Sequence, residues 1–195
     1  FSHVHVSGSG GNPKYGNILV MATTGDVKVT DYGSERGNET SKPGLFSVDY
    51  TSYDIQAELT TTHSVGIHRY KFNKGGKSNI LFDLGSYLTW VDDEWTQEFV
   101  GSEIQFISDT ELQGYSRIRK GWGKGDAYTV YFYAVSDTPA SEKGTWKSGK
   151  INRDSESEHD TGEPTGGFLS FDTKKGQVVR MKVGISFLGV EKARA

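Results

Sequence analysis

Glycine constrains this chain more than any other residue: there are 25 among 195 residues. Inside a helix each glycine costs about 1 kcal/mol against alanine, so long helices are disfavoured. Glycine suits tight turns instead, because it enters left-handed backbone conformations without steric penalty. The aromatic residues argue the same way, since the ten Tyr and ten Phe favour strands. The length suits one domain, or at most two small ones, with a core large enough to need no staples. There is no cysteine, which excludes disulfides, thiolate metal sites and a cysteine nucleophile. The formal net charge of -3 argues against a nucleic-acid binder, which usually carries a basic excess. No apolar run approaches the 18 residues of a membrane-spanning helix. Phe1-Ser2-His3 has neither the charged start nor the apolar stretch of a signal peptide.

Short alternating runs follow one another along the chain. Ile18 to Met21 is a brief apolar run. Phe46, Val48 and Tyr50 alternate with polar residues, as do Ile55, Ala57 and Leu59, then His68, Tyr70 and Phe72. Ile80, Phe82 and Leu84 follow, then Ile104 and Phe106. A period of two puts one face on a core and the other in water. From Tyr128 to Val135 both faces are largely apolar, which predicts a central strand covered on both sides. Val179, Met181, Val183, Ile185 and Phe187 alternate without interruption, predicting a half-buried antiparallel strand. Pro43-Gly44 fits a tight turn. Asn73-Lys74-Gly75-Gly76 and Thr173-Lys174-Lys175-Gly176 read as hairpin turns between alternating runs. Thr30 to Lys42 and Lys147 to Gly167 read as polar loops, the second long enough to suggest a functional or mobile segment. Only Val190 to Ala195 could begin a helix. No repeat, domain boundary or low-complexity tract is visible. The expected fold is all-β: an antiparallel β-sandwich with few or no helices.

Several residues invite a chemical reading. His3 and His5 stand two apart. On an extended backbone both rings would project to one side, where they could chelate a metal or offer two donors to a sugar hydroxyl. They could equally be an edge-strand pair hydrogen-bonded to neighbours. Ser7-Gly8-Ser9-Gly10-Gly11 lacks the lysine and Ser/Thr of a phosphate-cradling loop. It reads as a simple turn, or as a loop letting a ligand or another domain approach its backbone. Asp92-Asp93-Glu94 and the acidic stretch around Asp160 do not match the spaced pattern of a calcium loop. Asn38-Glu39-Thr40 is a glycosylation sequon by pattern only. No G-x-S-x-G elbow occurs. Glycoside hydrolysis needs a pair of flanking carboxylates, and no such pair can be singled out from sequence. Trp90, Trp95, Trp122 and Trp146 could stack on sugar rings or fill a core. On these residues alone the reading is a β-sandwich that could serve as a binding module.

Five segments together resemble one family. Phe1-Ser2-His3-Val4-His5-Val6-Ser7-Gly8 is similar to an F-S-H-x-H-x-S-G segment of family-92 glycoside hydrolases, the calcium-dependent exo-acting α-mannosidases. Ile18 to Gly25 follows at that family's spacing, and Pro43-Gly44-Leu45-Phe46-Ser47-Val48 resembles its P-G-Y-Y-S-V. Glu58 to Thr62, then Gly66-Ile67-His68-Arg69-Tyr70-Lys71-Phe72, resembles E-L-T-A-T-x-R-x-G-x-H-R-Y-x-F, with His63 where the family tends to have arginine. Val183-Gly184-Ile185-Ser186 and Val190-Glu191-Lys192-Ala193 resemble V-G-I-S and V-E-x-A. The resemblance implies that residues 1–195 form a single supersandwich-like β domain of a larger bacterial, periplasmic or extracellular enzyme. That enzyme would hydrolyse mannose-containing glycans with inversion. It implies that the general acid, the general base and most of the calcium site come from an (α/α)6-barrel outside this segment. No catalytic residue and no bound calcium are then expected here. His3, His5, Ser7 and Gly8 are placed on the substrate side of the cleft between the two domains. The alternative is a non-catalytic carbohydrate-binding β-sandwich module.

Overall fold

The computed structural model describes residues 1–5, 14–88, 96–122 and 124–195. Two antiparallel sheets pack face to face, so the chain is the β-sandwich that its glycine turns and alternating runs predict. The smaller sheet has the order β1 (Leu19–Thr24), β6 (Gly76–Asp83), β13 (Thr165–Thr173), β10 (Glu142–Lys147), β11 (Lys150–Asn152). The larger runs β12 (Ser157–Asp160), β7 (Gln97–Phe106), β8 (Glu111–Lys120), β9 (Tyr128–Ser136), β14 (Gln177–Ser186), β5 (Val65–Phe72), β4 (Ile55–Thr61), β3 (Leu45–Tyr50), β2 (Arg36–Lys42). Among the described residues one helix, α1 (Val190–Arg194), stands where a helical start was expected.

The core lies between the sheets. Val48, Ile55, Tyr70, Phe72, Phe132, Val179 and Met181 of the large sheet meet Val20, Ile80, Phe82, Leu169 and Phe171 of the small one. The Phe82 and Phe132 rings stack at 5.7 Å across the divide. β14 behaves as its alternation predicts: Val179, Met181 and Val183 are buried while Arg180 and Lys182 are exposed. Phe187 falls outside the strand and is half exposed. In β9, Val130, Phe132 and Ala134 face the core. The other face is covered only in part, against expectation: Tyr133 is buried under α1, where Arg194 lies 4.9 Å from its ring centre, while Thr129, Tyr131 and Val135 are half-buried. Gly184 makes this docking possible, because a Cβ there would stand 2.0 Å from the Ala193 carbonyl.

Four further expectations are corrected. First, Thr30 to Lys42 is not all loop, for Arg36–Lys42 forms β2 at the sheet edge. With nearly every residue of β2 exposed there is no apolar alternation to read. Second, Lys147 to Gly167 contains β11, β12 and the start of β13. Third, neither lysine-containing turn is a hairpin. Asn73–Gly76 leads from β5 in the large sheet to β6 in the small one, and Thr173–Gly176 leads from β13 back to β14. The two corners lie side by side: Gly176 donates its N–H to the Phe72 carbonyl at 2.7 Å, β6 pairs with β13, and β5 pairs with β14. A two-stranded antiparallel ribbon thus bends from one sheet into the other. Fourth, β6 has no wet face. Leu81, opposite Ile80 and Phe82 in the pleat, is buried with Phe168, Trp146 and Val27 in a second cluster outside the small sheet. Pro43-Gly44 is a true hairpin turn between β2 and β3, with Gly44 at φ 78°, as a proline–glycine type II turn requires.

Candidate functional site

The opening residues are tied down by their neighbours. Ser2 bridges Leu19, and His5 bridges Tyr15. The Phe1 nitrogen donates to the Val20 carbonyl at 2.8 Å. The backbone bends at His3 and Val4 instead of running extended, so the shared side expected for the two histidines does not form. His3 turns its ring to His68 of β5, while His5 is exposed. Ser7 and Gly8 lie outside the described residues, as do Trp90, Trp95 and Asp92 to Glu94.

His3 Nδ1 lies 2.7 Å from the Ile18 carbonyl, and its Nε2 lies 2.8 Å from His68 Nε2. His68 Nδ1 lies 2.8 Å from the Tyr70 hydroxyl. Burial pushes His3 down to about 4, with its bond to Ile18 opposing the shift. His68 is driven well below the ordinary histidine value by burial and by its neighbour His3. Both rings are therefore neutral near pH 7, and the direction of every bond follows. A carbonyl only accepts, so His3 carries its proton on Nδ1 and offers Nε2 as acceptor. His68 must then donate from Nε2, leaving its Nδ1 to accept from the Tyr70 hydroxyl. The result is one directed chain, Tyr70 to His68 to His3 to Ile18. Neither nitrogen of His3 is left over for a ligand. Its part is to hold the opening segment in place.

Ile18 supplies that carbonyl from a left-handed backbone, φ 55°, which is costly for a β-branched residue. Tyr15 at φ 66° and Gly16 at φ 93° share the bend. A clamp on Gln97 holds it: the Gln97 amide donates to the Tyr15 and Leu88 carbonyls at 2.7 and 2.6 Å, and its oxygen accepts from the Tyr15 N–H and the Tyr128 hydroxyl. Both flanks of the glycine-rich stretch, residues 1–5 and 14–18, are thus fixed by buried polar groups. Backbone strain of roughly 1–3 kcal/mol per residue persists only where the surroundings enforce it, and such places cluster at functional sites.

Beside this arrangement lies a hollow of about 300 Å³ with Phe1, His3, Phe46, Thr60, Gly66 and His68 in its walls. A Cβ on Gly66 would stand 2.9 Å from the His3 ring, so the glycine makes room for it. Sequence reading marked His3 for its spacing but gave His68, Tyr70 and Gln97 no site role. Their pairing crosses 65 and 82 positions of chain, which no local pattern reports.

Among the described residues no group of three or more His, Cys, Asp or Glu could hold a metal ion. The buried histidines offer nitrogen where calcium takes oxygen. These residues do not fit that ion. Trp146 is buried in the second core cluster and Trp122 is half exposed. Asp160, in the acidic stretch, accepts from the Gly162 and Glu163 backbone N–H groups and pairs with Lys147. No described helix is long and apolar enough to cross a membrane.

The two-sheet sandwich is a domain shared with known glycoside hydrolases. Residues 1–186 match the Glycosyl hydrolase family 92 N-terminal domain, and the chain belongs to that family. No curated protein matches it. Among solved structures it is similar to the family GH92 alpha-mannosidase BT3965 from Bacteroides thetaiotaomicron, in complex with mannoimidazole. That likeness has 25% identity and a TM-score of 0.84, covering 99% of this chain and 26% of the other. The GH92 family glycosyl hydrolase ccman5 matches with 25% identity and a TM-score of 0.72, covering 92% of this chain and 24% of the other. The inverting mannosidase BT2199 from Bacteroides thetaiotaomicron shares the fold, with a TM-score of 0.76 at 19% identity over 92% of this chain and 23% of its own. The chain spans about a quarter of the length of these relatives.

Proposed function

We propose that this chain is the N-terminal β-sandwich domain of a bacterial, secreted, exo-acting α-mannosidase that hydrolyses α-mannosides of glycans with inversion. The observation that carries this reading is the family match across residues 1–186, supported by fold likeness to an α-mannosidase along 99% of the chain. In this reading a protonated carboxyl assists the leaving group and a carboxylate activates water on the opposite face of the sugar. Both carboxyls, and the oxygen ligands for calcium, belong to an (α/α)6-barrel in the rest of the enzyme. The sandwich supplies one wall of the pocket. His5, Ser7 and Gly8 are its substrate-facing residues, and the Tyr70–His68–His3 chain ties residues 1–5 to Ile18. A wall held by satisfied buried groups costs no reorganisation when substrate arrives, which is the property a transition-state pocket needs.

The test is hydrolysis of α-mannobiose by this chain and by the longer enzyme, with calcium and with a chelator. The expected result is turnover by the longer enzyme only, lost on chelation. Robust turnover by the chain alone would overturn the division of labour. An inactive longer enzyme would overturn the mannosidase reading.

A further inference from the structure

The outer face of β7, β8 and β9 carries a second constellation, remote in sequence from the opening segment. Strand pairing sets Glu103 opposite Tyr115, and Tyr115 opposite Tyr131. The next row on the same face is Gly101, Arg117 and Thr129. The two tyrosine rings are half-buried and stand 6.0 Å apart at an angle of 58°. The β7 register shifts between Phe99 and Gly101. A Cβ on Gly101 would lie 3.0 Å from the Asp160 carbonyl, so the missing side chain opens the floor beside Thr161. The rings, Gly101, Arg117, Thr129 and Thr161 enclose a hollow of about 470 Å³. Glu103, the neighbour of Tyr115, lines a second hollow of about 430 Å³ with Gln105 and His159. Ligand sites fall in this range of size.

Polar groups around the hollow are unspent. Arg36, Arg69, Arg119, Arg153 and Arg180 each hold an acid, and Arg194 lies over the Tyr133 ring. Among the described residues Arg117 does neither, although Glu103 stands on the adjoining row. The hydroxyls of Tyr115, Tyr131, Thr129 and Thr161 likewise have no hydrogen-bond partner among the described residues. An aromatic floor bordered by free hydroxyls and a planar five-donor guanidinium fits a ligand with an apolar face and a polar rim, as a sugar ring has. Arg117 and Glu103 carry opposite charges on neighbouring rows. Among the described residues Arg117 is the one charge in the walls of the hollow, and Glu103 beside Tyr115 opposes it, so the attraction for an anion is weakened.

We propose that the outer face of β7–β9 binds a neutral oligosaccharide, with a sugar ring on Tyr115 and Tyr131 and its hydroxyls on Arg117, Thr129 and Thr161. This site is separate from the hollow at His3 and does not depend on the mannosidase reading. The test is titration of the isotope-labelled 195-residue chain with mannotriose, cellotriose and xylotriose, with trigalacturonate as the charged control, followed by amide NMR.

The expected result is saturable shifts clustered at Gly101, Tyr115, Arg117, Thr129 and Tyr131 with at least one neutral trisaccharide. Tyr131→Ala and Arg117→Ala should each weaken binding about tenfold or more, with the remaining amides unmoved. Arg117→Lys should also weaken it, since it keeps the charge and loses the fork. Four results would overturn the proposal: no saturable shift with any neutral sugar, shifts confined to the Phe1–His3–Gly66 hollow, tighter binding of trigalacturonate, or affinity unchanged in Arg117→Ala. Repeating the titration on the longer enzyme should move the same amides. Silence there would be a fifth overturning result, assigning this face to contacts within that protein. A negative mannosidase assay bears only on the earlier reading.

Discussion

The Tyr70–His68–His3 chain depends on two neutral imidazoles, and its response to acid can be worked out. Above pH 6.5 His3 is neutral whether the chain is folded or not, and contributes nothing to the pH dependence. Between 6.5 and its folded value of about 4, the unfolded chain takes up a proton that the folded one refuses. Stability therefore falls with pH through this window, by about 1.4 kcal/mol per unit and about 3 kcal/mol in all from His3. His68, shifted in the same direction, adds to the slope. Urea unfolding at pH 7.5, 5.5 and 4.5 measures it, and a flat profile would refute the neutral pair. Tyr70→Phe removes the donor to His68 Nδ1 and leaves a buried acceptor unsatisfied, which should cost about 1–3 kcal/mol in the same assay. Gly66→Ala should cost about 1–3 kcal/mol by driving the His3 ring off its partner, unless strand β5 gives way. At this scale the sequence was half legible. The alternation of His68, Tyr70 and Phe72 correctly reads as one buried face. That the same face meets residue 3 is a fact of topology, and no spacing within β5 encodes it.

Among the elements, legibility followed burial. Strands β3, β4, β5 and β14 each present one face to the core, and period-two patterning marks them. Edge strands β2, β11 and β12 are largely exposed and carry mixed polar residues, so they read as loops. β8 hides for another reason: its inward row is Leu112, Gly114, Ser116 and Ile118, and two of these four are not apolar. Gly114 is needed because a Cβ would sit 1.9 Å from the Glu103 carbonyl. Ser116 is satisfied by donating to the Leu84 carbonyl. Helix α1 is short and rests on the sheet through Gly184. Gly184→Ala places a methyl against the Ala193 carbonyl and should lift the helix away, uncovering Tyr133. The expected signature is faster amide exchange in residues 190–195 and along β9, with a loss of about 1–3 kcal/mol. Unchanged protection in those amides would show that the helix is held by something other than this contact.

For the molecule as a whole, composition and turn spacing were enough for the class of fold. Five ordered motifs were enough for the family, which the match over residues 1–186 bears out. The connectivity between sheets was not legible, since a four-residue turn looks alike whether it returns within a sheet or leaves it. That connectivity governs folding. β1 pairs with β6, β6 with β13, and β14 joins β9 to β5, so half of the strand pairings join segments far apart in the chain. Such topologies fold slowly. Refolding followed by tryptophan fluorescence should take on the order of seconds, with Trp146 reporting closure of the second core cluster. Completion within a few milliseconds would show that local contacts dominate.

The bent ribbon formed by β5–β6 and β13–β14 bears on mechanics. Two sheets held only by interleaved side chains can slide across one another like greased plates. Here two antiparallel backbones cross the gap together, bonded to each other at Gly176 and Phe72, and sliding would have to stretch both. The sandwich is laced at that corner, and a ligand pressing on one sheet is opposed by peptide bonds as well as by packing.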